Sequence, residues 1–174
     1  MKRSLFLSLA LGFAAFYVAS FLCTYCLIAP DVEKKAISDE ADALYDEGYS
    51  IANTFVSYYY NQEITLGELY GQISVLSQYM DVTILVLNST GNVIVDSSDP
   101  DFDEDDLSFR SIDGFDASDF DTGSYNVGDF YAAFDTPMLN VLAPITFDYQ
   151  VRGYITLHKP YSGVVSDVNS MVNR

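Results

Sequence analysis

The chain has 174 residues, a formal net charge of −17, 49% hydrophobic residues and 15% aromatic ones. Beyond Pro30, all 25 acidic residues stand against six basic ones, a balance that repels nucleic acid and anionic lipid headgroups. The many Tyr and Phe residues exclude a disordered acidic tail, and the lack of cysteine beyond Cys26 excludes a disulfide scaffold.

The first element is Ser4 to Ala29, SLFLSLALGFAAFYVASFLCTYCLIA, which carries no charge. As a helix rising about 1.5 Å per residue it reaches roughly 39 Å, enough to cross a hydrocarbon core of about 30 Å. Lys2 and Arg3 precede it; Asp31 and Glu33 follow. That asymmetry places residues 1–3 in the cytoplasm, 4–29 in the plasma membrane and the rest outside. The run exceeds the h-region of a signal peptide and no A-x-A site closes it, so an uncleaved anchor in the lipid bilayer is expected. Cys23 and Cys26 read as small apolar residues of this helix.

Residues 31–61 follow as a long helix. Ile37, Ala41, Leu44, Gly48, Ile51, Phe55 and Tyr58 alternate in steps of four and three, a heptad seam. The seam serves either a parallel homodimer or packing on the chain's own sheet. Pro30 suits the start of this helix. Thr65 to Met80 is a shorter helix, opened by the capping-box pair Thr65 and Glu68. Val82 to Leu87 is apolar on both faces, as a buried central strand is. Asn88 to Asn92 is a Gly-containing turn, and Val93 to Val95 returns as the second strand of a hairpin.

Residues 99–122 form an acidic insert with interleaved Phe and Leu, which implies packing onto the domain. Strands are then expected at Asp129–Phe134, at Met138–Ile145 and from Val151 to Leu157, where apolar and polar residues alternate with period two. Residues 160–174 form an exit helix. The sum is an α+β domain over 30–159: a five-stranded antiparallel sheet flanked by helices.

Two stretches carry a resemblance. VTILVLNSTGNVIVDSS resembles the central hairpin of extracytoplasmic PAS-like (Cache-type) sensor domains, and APITFDYQVRGYITLHKPYSGV is similar to their closing hairpin and exit helix. The resemblance implies the sensor region of a membrane-bound two-component histidine kinase that relays binding of a small ligand, divalent cation or cationic peptide through a dimer. It also implies a second membrane helix after Arg174. Chemoreceptors, diguanylate cyclases and a single-pass anchored binding protein are the alternatives. No H-box, ATP-binding glycine run or nucleophile constellation occurs in residues 1–174, so no catalytic residue is assigned.

Candidate sites follow from charge and aromatic content. Asp101, Asp103, Glu104, Asp105 and Asp106 repel one another, and Ca2+ or Mg2+ would relieve that repulsion; the alternative is a solvated acidic face. The stretch is not an EF-hand, since Glu104 stands where Gly is needed and Arg110 where the bidentate Glu belongs. Tyr131, Tyr149 and Arg152 are the candidate ligand-binding residues, with Tyr125, Phe130 and Phe134 as further pocket walls; core packing and ion pairing are the competing readings for these residues. His158 is expected as a half-exposed strand residue, with pH sensing as its alternative.

Overall fold

The computed structural model describes the backbone of residues 2–103, 110–120 and 124–172, and the side chains of 10–23, 31–103, 110–120 and 124–166. Two units are distinguished by their internal contacts, residues 1–38 and 39–174.

Helix α1 runs from Lys2 to Ile51 without a break. Pro30 therefore lies inside a helix and does not start one, although proline removes a backbone bond there. In the first unit every described side chain from Ala10 to Cys23 is exposed, among them Leu11, Phe13, Phe16, Tyr17 and Phe21, each 60% exposed or more. Among the described residues no helix is long and apolar enough to cross a membrane. The span expected at Ser4–Ala29 falls partly outside them, because the side chains of 4–9 and 24–29 are not described.

The second unit is built on one antiparallel sheet. Its strands are β1 (Thr83–Asn88), β2 (Val93–Asp96), β3 (Tyr125–Gly128), β4 (Met138–Phe147) and β5 (Gln150–Pro160), in the order β2-β1-β5-β4-β3. This is the PAS-like α+β architecture expected from the two hairpins. The long β5 lies at the centre, paired with β1 on one side and β4 on the other. Ile155 to His158 are buried, so both faces of the sheet are covered there.

Residues directly opposite one another share a face. Ile84, Leu157 and Val141 lie in one row, and Val86, Ile155 and Ala143 in the next. The C-terminal part of α1 covers them. A Cβ on Gly48 would stand 2.7 Å from Leu157 and 3.4 Å from Ala143, so the missing side chain lets the helix sit close. Ala41, Leu44, Gly48 and Ile51 are all buried within this chain. The sheet occupies the seam, so packing on the chain's own sheet is the reading these four residues realise, and they are not free for a dimer. Ile37, in the first unit, is also buried.

The heptad fails beyond Ile51. Residues Ala52–Val56 form a π turn, closed by the bond from the Ser57 N–H to the Ala52 carbonyl, before α2 (Ser57–Tyr60). The wider turn rotates the buried stripe onto Ala52 and Val56. Phe55 is left half-buried and Tyr58 exposed, contrary to the seam. Helix α3 (Leu66–Met80) begins as its sequence predicts: the Glu68 N–H donates to Thr65 Oγ1 at 3.1 Å and the Thr65 N–H to Glu68 Oε2 at 2.8 Å. Leu69 and Ile73 bury its inner face. Helix α4 (Tyr161–Val172) continues from β5.

The β1–β2 turn works through Asn88, whose Oδ1 accepts from the N–H groups of Thr90 and Asn92, with Gly91 at φ +83°. Strand β3 pairs only with Met138–Val141 of β4. Past the bond from the Leu142 N–H to the Ser124 carbonyl, no strand among the described residues pairs with this side of β4, where Pro144 lies.

Candidate functional site

The other face of the sheet carries the site. Leu85, Thr156 and Leu142 form one row across β1, β5 and β4; Leu87, Tyr154 and Pro144 form the next. Ile112, Phe115, Phe120 and Phe130 pack on them from the connection between β2 and β4. The acidic insert is thus fastened to the domain by its aromatic residues, as their interleaving predicted. Its return is fixed by the bond from the Val93 N–H to the Arg110 carbonyl, by that from the Ile112 N–H to the Gly91 carbonyl, and by a 3-10 turn over Ala117–Phe120.

The buried polar centre of this face is His158, which is wholly inaccessible. Its Nδ1 lies 2.7 Å from Asn140 Oδ1 and its Nε2 lies 2.8 Å from Thr156 Oγ1. Asn140 Nδ2 donates to Asn126 Oδ1 at 2.9 Å and to the Gly128 carbonyl at 3.2 Å. A carbonyl only accepts, so the amide orientation is fixed and Asn140 Oδ1 must be an acceptor. His158 then carries its proton on Nδ1, and Thr156 donates to Nε2. Burial pushes the imidazole pKa down to about 3, so the ring is neutral. The expectation of a half-exposed histidine is corrected: the polar side of the strand alternation faces a second core and not water.

Two rings cover the imidazole: Phe130 at 4.4 Å and Phe134 at 4.7 Å between centroids. They come from a segment expected as a strand, Asp129–Phe134. The strand is instead Tyr125–Gly128, and Phe130, Tyr131 and Ala132 follow with φ of 48°, 56° and 60°. Three successive non-glycine residues in left-handed conformation cost about 1–2 kcal/mol each. Burial of Phe130 and two hydrogen bonds at the Tyr131 hydroxyl hold the turn. That hydroxyl donates toward Asp119 Oδ2 at 2.7 Å and lies 3.0 Å from the Asp116 carbonyl, and it accepts from the Asp116 N–H at 3.3 Å. Burial and the Asp119 carboxylate raise the Tyr131 pKa. The backbone and hydroxyl of Ser118 hold the Asp116 carboxyl below the usual carboxylate range.

A cavity of about 440 Å³ opens at the rim of this face. Phe120, Leu142 and Tyr154 form its wall toward the core, with Ala117, Ser124 and Pro144 beside them. No charged side chain lines it among the described residues. Phe120 connects the cavity to the rings over His158, with its centroid 6.2 Å from that of Phe130.

Of the three residues expected to bind a ligand, only Tyr131 reaches this face. Asp148 and Tyr149 take positive φ at the tip of the β4–β5 hairpin, which leaves Tyr149 fully exposed, and Arg152 is exposed on the same hairpin. Of the metal candidates, Asp101 and Asp103 are described, and Glu104, Asp105 and Asp106 lie outside the described residues. No group of three metal-ligating side chains is found among the described residues. Asp101 and Asp103 border a groove of about 410 Å³. Two other carboxylates of that groove are engaged locally: Asp96 accepts from Ser98 and pairs with Arg110 at 3.1 Å, and Asp99 accepts from the Asp101 N–H.

Asn140 and Thr156 were the residues that sequence reasoning missed, and His158 was expected on the wet side of its strand. One signal was present: an Asn inside the apolar run MLNVLAPI, where a buried amide requires a partner.

No family model matches the chain, and no curated protein matches it. Solved structures do share its fold. The extracellular domain of a chain named for a histidine kinase, vpHK1S-Z8, superposes with a TM-score of 0.55 at 15% identity over 78% of this chain. A domain of a sensory box/GGDEF family protein from Vibrio parahaemolyticus superposes with a TM-score of 0.53 at 14% identity over 80%. The chain spans 56% of the first and 64% of the second. At such identities the likeness is one of fold alone, a PAS-like α+β fold.

Proposed function

We propose that the chain is the extracytoplasmic signal-input region of a membrane-anchored receptor whose output is a two-component histidine kinase. The observation that carries this is a PAS-like sheet with one face under helices and the other under an aromatic cap, following a charge-free apolar run in sequence. The exposed Leu11, Phe13, Phe16 and Phe21 support a lipid contact, since large apolar side chains in such a row need a cover. Lys2 and Arg3 support a cytoplasmic start. Signal passes through a homodimer. Its contact lies away from Ala41, Leu44, Gly48 and Ile51, which the sheet already covers. The likeness to a domain of a GGDEF protein favours a second output, a diguanylate cyclase, on the same input fold.

The test is topology in whole cells. Cys23 and Cys26 are replaced by Ser, and a single cysteine is placed at Tyr79, which is 87% exposed. A membrane-impermeant maleimide labels this position in intact cells if the domain is extracytoplasmic. Labelling that requires lysis overturns the reading.

A further inference from the structure

We infer that the cavity walled by Phe120, Leu142 and Tyr154 takes an uncharged aromatic molecule, and that the Tyr131-latched turn sets how deeply it enters; this rests on the signal-input reading above.

The ligand class follows from what the described lining offers, aromatic and aliphatic surface from Tyr45, Phe120, Leu142, Pro144 and Tyr154 with hydroxyls from Ser118 and Ser124. Such a surface rewards an uncharged ring and gives no return for stripping water from an ion. Beyond the wall the next groups are also neutral: the Phe130 ring, then the His158–Asn140–Thr156 layer. The volume of about 440 Å³ is within the range of small-molecule sites.

The depth control follows from the turn. Phe130 and Phe134 fill the space over the imidazole, and the backbone that holds them is in a sparsely populated conformation at three successive residues. Such a segment keeps its shape only while its surroundings fix it. Tyr131 supplies that fixing through Asp119 and Asp116. Releasing the latch raises the fraction of molecules in which Phe130 and Phe134 swing away, and that fraction scales the apparent affinity.

The experiment uses the full chain in detergent and three probes of one ring system: indole, indole-3-acetate and tryptamine. The protein contains no tryptophan, so indole fluorescence reports the probe alone. Saturable indole binding is expected, absent from micelles alone, with both charged probes about tenfold weaker or more. Ala117→Phe, which fills the cavity, removes it. Tyr131→Phe tightens it about threefold or more, an effect that mere loss of packing would not produce. If Ala117→Phe does not fold, nuclear Overhauser contacts from indole to the Leu142 methyls in the unaltered chain locate the probe. Absence of saturable binding to folded protein, binding elsewhere, or equal binding of the charged probes overturns the inference. Those results leave the signal-input reading standing, because the maleimide topology experiment decides it independently.

Discussion

His158 donates from Nδ1 to Oδ1 of Asn140 across 2.7 Å, which ties the end of β5 to the start of β4 inside a buried layer. The bond fixes the tautomer, and burial sets the acid behaviour of the ring. In the unfolded chain this imidazole takes a proton near its ordinary pKa of 6.5; in the folded chain it does so only near 3. Between those values the unfolded state binds more protons, so stability falls as pH falls, by about 1.4 kcal/mol per pH unit, and is level above 6.5. Urea unfolding of the natural chain and of His158→Gln from pH 7 to pH 4 isolates this: the gap between the two curves changes with that slope. A gap independent of pH would show that the imidazole is solvated.

Replacing Thr156 by Val leaves His158 Nε2 without its donor in a site that water does not reach. The expected loss is about 1–3 kcal/mol by chemical denaturation, larger than a hydroxyl deletion at the surface gives.

Gly153 is required by close approach. A Cβ there would stand 2.1 Å from the Leu87 carbonyl oxygen, a backbone atom in the paired strand. Gly153→Ala must separate β1 from β5 and is expected to cost about 3 kcal/mol or more. Gly48→Ala meets the tip of Leu157, a side chain able to shift, and is expected to cost less than half of that. Reversal of this order in urea melts would contradict the packing described.

At the Tyr131 latch, Tyr131→Phe removes a hydroxyl held by Asp119 and Asp116. The Ala133 and Phe134 amides, bonded to the Phe130 and Asp129 carbonyls, should then exchange with solvent at least tenfold faster while those of β5 are unchanged.

Thr65→Ala deletes one half of the capping box of α3 and is expected to cost about 1 kcal/mol, read as a lower thermal midpoint.

What the sequence displayed was the sheet. VTILVL had no polar face and so had to be central, and the alternation of β5 marked two distinct sides. Thr65 and Glu68 announced a helix start that the structure realises bond for bond. The site was hidden for three physical reasons. A π turn at Ala52–Val56 leaves no trace in a heptad count, so Phe55 was assigned to the wrong stripe. The residues DFYAAF have strand composition, and only tertiary packing forces Phe130 to Ala132 into left-handed backbone. His158 looked like the wet side of a strand because nothing local shows that Phe130 and Phe134 roof it. Tyr149 and Arg152 were chosen for their chemistry, and on their hairpin both are exposed.

Pro144 has a consequence for molecules in company. Along the margin of β4 beyond Leu142, a strand added from a neighbouring copy would need a continuous row of donors and acceptors. The Leu142 N–H points outward to Ser124, so the amide two residues on would do the same, and there the chain has a proline with no hydrogen to give. A newcomer finds a gap in the ladder at its second rung. At that rung the ring takes away the donor that a shared ladder along this margin needs.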